Sequence, residues 1–117
     1  MLAVYFNKSL FQRSHNLFFI ENMGVLCAMV AGSARLADFG AMMGAAHLLL
    51  AEQECTAWFE HVESKANCAD GLSRVGFACA VARALRARVS QKDFPNWPTD
   101  VLRASLSDWL RCLEING

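Results

Sequence analysis

Residues 64–74 read SKANCADGLSR. This run of small and polar residues follows TAWFEHV (56–62), which alternates like a half-buried strand, and precedes a stretch rich in alanine and arginine. The order reads as strand, turn, helix. Asn67 is expected to cap that helix, with Asp70 three residues on at the capping-box position. The helix is expected to run from about 68 to about Val89.

Upstream, NLFFIEN (16–22) is a continuous apolar run ended by Glu21-Asn22, a pattern that suits a buried central strand. Between the two strands, VLCAMVAGSA reads as a short helix closing at Gly32-Ser33. A longer helix is expected from about Arg35 to Glu54, with Leu36, Phe39, Met43, His47 and Leu50 along one face. Gly40 and Gly44 lie on a neighbouring stripe, where another element can approach closely. Strands separated by helices argue for parallel pairing through a crossover, hence an α/β class. In such sheets functional groups gather beyond the carboxyl ends of the strands. Glu21 ends the first strand and Asp70 opens the helix after the second, so both carboxylates are expected on one edge. Trp58 and Phe59 are expected in the core. His47 and His61 are expected to be packed or hydrogen-bonded.

With 117 residues, 55% of them hydrophobic and 19% charged, the chain has the composition of one small folded domain rather than a disordered one. The formal net charge is zero, which leaves no global positive field. The charge is nevertheless segregated. Residues 52–70 hold Glu52, Glu54, Glu60, Glu63 and Asp70 against Lys65 alone, whereas residues 74–92 hold five bases and no acid. Five cysteines form no CxxC pair, and with no secretory pattern at the start they read as free thiols of the cytoplasm or nucleus. The apolar runs Met23–Ala34 and Phe39–Ala51 fall short of the roughly 20 residues a bilayer span needs and read as core helices. Both prolines lie in QKDFPNWP (91–98), a linker between a unit at 1–90 and a C-terminal segment at 99–117. An amphipathic helix is expected there over Thr99–Glu114, with Leu102, Leu106, Trp109 and Leu113 at helical spacing.

Taken together, FFIEN (18–22), WFEHV (58–62) and SKANCADGLSR (64–74) resemble the C-terminal half of a ribonuclease H domain of the type attached to retroelement reverse transcriptases. The resemblance spans about residues 16–76. It implies a partial ribonuclease H-like fold, strand-helix-helix-strand-helix, with an additional C-terminal helix. Members of that family hold two magnesium ions on about four carboxylates and cut the RNA strand of an RNA–DNA hybrid, one ion activating water and the other stabilising the departing oxygen. By resemblance Asp70 matches the last of those carboxylates, and Glu21 stands where the family usually has aspartate before asparagine. The extra methylene of Glu21 displaces the carboxylate by roughly 1 Å, a distance that matters to metal geometry.

The family's leading aspartate and its helical glutamate should both precede FFIEN, yet the twenty residues before Glu21 contain no acid. The chain is therefore expected to begin inside the domain, to lack the N-terminal catalytic carboxylates and to be inactive alone. The resemblance implies Mg2+ or Mn2+ as cofactor, weak binding of an RNA–DNA hybrid or other nucleic acid, and an upstream reverse-transcriptase domain in an intact polyprotein. It implies no membrane partner. Arg74, Arg83, Arg86 and Arg88 are the candidates for phosphate contacts. A sheet without the family's opening hairpin is expected to leave an uncovered edge. Two alternatives stay open: a non-catalytic nucleic-acid- or protein-binding remnant using residues 74–92, and a membrane-associated helical hairpin over residues 23–51.

Overall fold

A computed structural model of the chain describes residues 1–88, 91, 93, 98, 100 and 103–115. Strand β1 (His15–Ile20) and strand β2 (Thr56–His61) pair in parallel, with His15 opposite Thr56 and Ile20 opposite His61. Helices α3 (Met23–Ala31) and α4 (Ala37–Glu52) make the crossover between them. The chain is thus mixed α/β around a small parallel sheet. Two short helices, α1 (Leu2–Phe6) and α2 (Lys8–Phe11), precede β1, and Val4 of α1 is buried in the core.

Local chemistry fixes the crossover. Asn22 turns the chain out of β1 and caps α3, its side-chain oxygen accepting from the Val25 amide at 3.0 Å. Gly32 ends α3 in the left-handed conformation (φ 71°), which glycine adopts without a side-chain clash. The long helix starts at Ala37 rather than Arg35, because Leu36 is extended (ψ 130°) and points into solvent, 69% exposed. Met43, Ala45, Ala46, Leu49 and Leu50 of α4 are buried, and they serve both halves of the core. On one side Met43 and Ala46 meet Ala28 and Met29 of α3. On the other, Ala45, Leu49 and Leu50 meet Val4 and the C-terminal segment.

That segment joins the same core. Helix α7 (Leu106–Cys112) lays Trp109 against α4, and Ala104, Leu113 and Ile115 are buried with it. A Cβ on Gly44 would stand 3.3 Å from the Leu106 side chain, so the glycine lets α7 approach α4 closely. The expected helix over Thr99–Glu114 is shorter. Ser105 and Asp108 form a reciprocal capping box that starts it at Leu106. Residues 99, 101 and 102, and most of the expected linker 91–98, lie outside the described residues.

Three further expectations are corrected. The helix expected from 68 to 89 is broken into α5 (Asp70–Val75), a 3-10 turn at Gly76–Ala78 and α6 (Ala80–Ala84). Gly76 has φ 59°, which interrupts the helical path, and Cys79 is the buried residue among the described side chains of this stretch. Without an apolar stripe to bury, propensity alone does not sustain a long helix. Secondly, β1 is not buried on both faces. Phe18 and Ile20 face the helices, while Leu17 and Phe19 are 55% and 62% exposed. Thirdly, Trp58 is not core: it lies on that same outer face, 65% exposed, and donates its indole N–H to Glu60 at 3.0 Å. Phe59 does pack inward, stacked on Phe18 with ring centroids 5.5 Å apart and edge-on to His47. His47 also bonds the Met29 carbonyl at 2.6 Å, so it is a satisfied core histidine. Among the described residues, no helix is long and apolar enough to cross a membrane, and the two helices of the suggested hairpin, α3 and α4, build the core.

Candidate functional site

The carboxyl ends of the two parallel strands carry the site. The Val62 amide donates to the Ile20 carbonyl at 3.1 Å, the last bond across the ladder, and Glu21 follows at once. His61, at the end of β2, donates from Nε2 to the Glu21 carbonyl at 3.1 Å, as a ring N–H must toward a carbonyl. The polar run 64–67 then folds back over the strand ends. A 3-10 turn at Ser64–Ala66 lets Ser64 and Asn67 reach Glu21 together. The Ser64 hydroxyl donates to Oε1, and the Asn67 amide donates to Oε2 at 2.8 Å. Both carboxylate oxygens are therefore engaged.

These bonds favour the charged form. The Ser64 hydroxyl and then the Asn67 amide hold the Glu21 carboxyl below the usual glutamate range, with partial desolvation opposing and the positive charges of Arg74 and His61 adding to the effect. Asn67 is not the helix cap expected of it. Its side-chain oxygen accepts from the Ala69 amide at 3.1 Å, an Asx-type turn, which leaves the amide nitrogen for Glu21. Helix α5 accordingly opens at Asp70, without a side-chain cap.

Asp70 sits one turn beyond this clamp. Its amide donates to the Asn67 carbonyl at 3.1 Å, so Asn67 touches Glu21 through its side chain and Asp70 through its backbone. The two acids thus share one edge of the sheet. The carboxylate of Asp70 pairs with Arg74 Nε at 2.9 Å across one helical turn. Arg74 is hence committed to the carboxylate edge, whereas Arg83, Arg86 and Arg88 extend into solvent from α6 and the residues after it.

Does this donor set fit a pair of divalent ions? Glu21 has both oxygens hydrogen-bonded, and the Asp70 carboxylate is paired with the Arg74 guanidinium. Among the described residues, no group of three or more His, Cys, Asp or Glu comes together in a way that could hold a metal ion. Two carboxylates, one of them already neutralised by arginine, do not fit a two-ion site. What the edge can do is hold a buttressed carboxylate beside an Asp–Arg pair.

The SKAN half of the quoted motif was the signal for Ser64 and Asn67, since hydroxyl and amide side chains are the groups able to donate to a carboxylate. Their target was not readable. It depends on a loop returning over a strand end 43 and 46 residues away. No family model, no curated protein and no solved structure matches the chain.

Proposed function

We propose that the chain is part of a ribonuclease H-like domain of the retroelement reverse-transcriptase type and that, by itself, it does not hydrolyse RNA. The single observation carrying this reading is the clamp on Glu21. The segments FFIEN and SKANCADGLSR, which carry the resemblance, are joined by hydrogen bonds from Ser64 and Asn67 to the carboxylate ending β1. Parallel pairing of β1 with β2 across α3 and α4 is in keeping with it. In this reading Glu21 and Asp70 descend from metal ligands, and Arg74 now satisfies the charge of Asp70. Cleavage of a hybrid by the intact family draws on two ions and further carboxylates, which these two acids do not replace.

The test has two parts. The DNA immediately upstream of the Met1 codon is read for an in-frame strand carrying an aspartate, a helix carrying a glutamate and a reverse-transcriptase domain. Their absence would count against the family. The purified chain is then incubated with an end-labelled RNA–DNA hybrid in Mg2+ or Mn2+. No cleavage is expected, because losing even one electrostatic contact to a transition state commonly costs ~2.7–4 kcal/mol. Metal-dependent cleavage that disappears in Asp70→Asn would overturn the inactive assignment.

One observation favours a second reading, a non-catalytic nucleic-acid-binding remnant. Arg83, Arg86 and Arg88 lie exposed within six residues of one another in a segment without acids. They provide a compact positive strip for phosphates, separate from the carboxylate edge. Hybrid binding that weakens with salt and proceeds without cleavage is the outcome this reading expects.

A further inference from the structure

The outer face of the sheet, turned away from α3 and α4, carries an inference independent of the carboxylate edge and of nucleic-acid chemistry. Three large side chains lie exposed on it, Leu17 and Phe19 from β1 and Trp58 from β2. The parallel register sets Leu17 opposite Trp58 and Phe19 opposite Glu60, so the four form one contiguous patch. A strand laid beside β1 would extend the sheet in its own plane and leave this face as it is.

Glu60 gives the patch its chemistry. The Trp58 indole N–H donates to Glu60 Oε1 at 3.0 Å, which holds the ring beside the carboxylate while most of the side chain stays in solvent. Among the described residues Oε2 has no partner, and none of the ion pairs involves Glu60. Nor does the neighbourhood supply a cation. β1 contains no Lys or Arg, and residues 52–63 contain four glutamates and no Lys or Arg. The patch is an accessible indole and a carboxylate without a counter-charge.

We propose that this patch binds an arginine side chain of a partner polypeptide, the guanidinium stacking on Trp58 and donating to Glu60. A planar guanidinium does both at once, whereas a lysine ammonium is a compact, strongly hydrated point charge. Among aromatic side chains, tryptophan attracts a cation best. A hollow of about 310 Å³ beside the indole, with His15, Leu17 and Thr56 in its lining, offers room for the aliphatic stem and its neighbours in the partner. The polar groups there are already satisfied, since His15 Nδ1 and Thr56 Oγ1 bond to each other at 2.5 Å. Charge decides between occupants. A nucleic-acid strand could stack on the same ring but would bring phosphates to an acidic stretch. A purely apolar partner would desolvate Glu60 without pairing it.

Nuclear magnetic resonance of the full chain, titrated with N-acetylarginine amide, tests this at the Trp58 indole N–H. The expected result is a saturable shift of that signal and of the Leu17 methyl signals. It should exceed the response to the lysine analogue, and far exceed that to the citrulline analogue, which has a similar shape and no charge. Glu60→Gln keeps an acceptor for the indole N–H and removes the charge. It should weaken arginine binding by up to about fivefold and erase the preference over citrulline. Trp58→Leu, read at Leu17, should weaken binding about two- to fivefold. If either variant unfolds, the comparison of arginine with citrulline on the unaltered chain decides. Equal responses to arginine and to either analogue overturn the proposal, as does an arginine titration that leaves the Trp58 and Leu17 signals still. A larger Trp58 shift with oligothymidylate than with arginine would also overturn it, by making the ring a base-stacking platform. So would a Trp58 signal that moves, with no probe added, when Arg83, Arg86 and Arg88 are all changed to alanine, because the chain's own arm would then fill the patch.

Discussion

Helix α4 and the stretch from Asp70 to Arg88 contain comparable helix-forming residues, yet they fold differently. Ala37–Glu52 is one unbroken helix despite two interior glycines, each costing up to ~1 kcal/mol against alanine. Residues 70–88 contain five alanines and four arginines, among the better helix formers, yet they break into two short helices around Gly76. The difference is burial. Five residues of α4 are buried between α3, α1 and α7, while Cys79 is the buried residue among the described side chains of the later stretch. In this chain tertiary packing outweighs propensity, and the basic segment is left as a solvated arm on a packed body.

The largest effect should fall on the body. Trp109 is 1% exposed and sits between α4 and the C-terminal residues. Trp109→Ala is expected to cost about 3–5 kcal/mol, a large part of the 5–15 kcal/mol that typically stabilises a domain. Leu85→Ala, in the arm at 70% exposure, should change stability by about 0.5 kcal/mol or less. Urea unfolding followed by far-ultraviolet circular dichroism measures both. Similar costs at the two sites would erase the contrast between body and arm.

A smaller effect is expected where α7 begins. Ser105 accepts from the Asp108 amide, and Asp108 returns a bond to the Ser105 amide at 2.8 Å. Ser105→Ala should cost about 1 kcal/mol in the same unfolding experiment. Ser73→Ala provides the comparison in the arm. Its hydroxyl donates back to the Asp70 carbonyl at 2.7 Å inside a short exposed helix, and its loss should cost less than that of Ser105.

How far these regions can be read from sequence follows the same division. The parallel pair and its crossover were legible because β2 alternates with period two, LFFI (17–20) is apolar throughout, and Gly32 supplies a stop signal that the left-handed backbone uses. The outward turn of Leu17, Phe19 and Trp58 was not legible, because both faces of both strands carry apolar side chains. The arm misled because alanine and arginine report propensity, while the absence of a partner surface is a tertiary fact. The common edge of Glu21 and Asp70 follows from strand direction alone. The bonds from Ser64 and Asn67 to Glu21 follow from a loop returning across the sheet, and no local pattern encodes that return. Ser105-x-x-Asp108 was a readable capping signal, obscured by the proline-rich stretch before it.

Acid provides a finer test of the body, through the clamp. The Glu21 carboxyl is depressed in the folded chain, chiefly by the Ser64 hydroxyl and then by the Asn67 amide. A group with a depressed folded pKa contributes stability above its unfolded value, about 4.3 for glutamate, and loses it as pH falls through the folded value. The stability difference between the chain and its Glu21→Gln variant should therefore be constant near neutrality and shrink as pH falls below that range. Asp108 is depressed by its own Ser105 bonds but is present in both proteins, so its contribution cancels in the difference. Unfolding midpoints across the acid range measure the trend, and a difference that does not change with pH would remove the clamp from the body's stability.

The smallest effect should come from the arm, and salt reveals it better than affinity at one condition. Arg74 is tied to Asp70 at 2.9 Å, while Arg83, Arg86 and Arg88 extend into water. Each phosphate neutralised on a duplex contributes about −0.9 to the slope of log binding constant against log salt, so three free arginines allow a slope of at most about −2.7. Arg83→Ala, Arg86→Ala and Arg88→Ala combined should flatten that slope almost completely, with little change in unfolding stability. Arg74→Ala should leave the slope nearly as it was, because binding through Arg74 would first require breaking its pair with Asp70. Fluorescence anisotropy of a labelled hybrid across a salt series separates these outcomes. A slope that drops by about one with Arg74→Ala would show that the carboxylate edge itself meets nucleic acid, and the separation of that edge from the basic arm would fail.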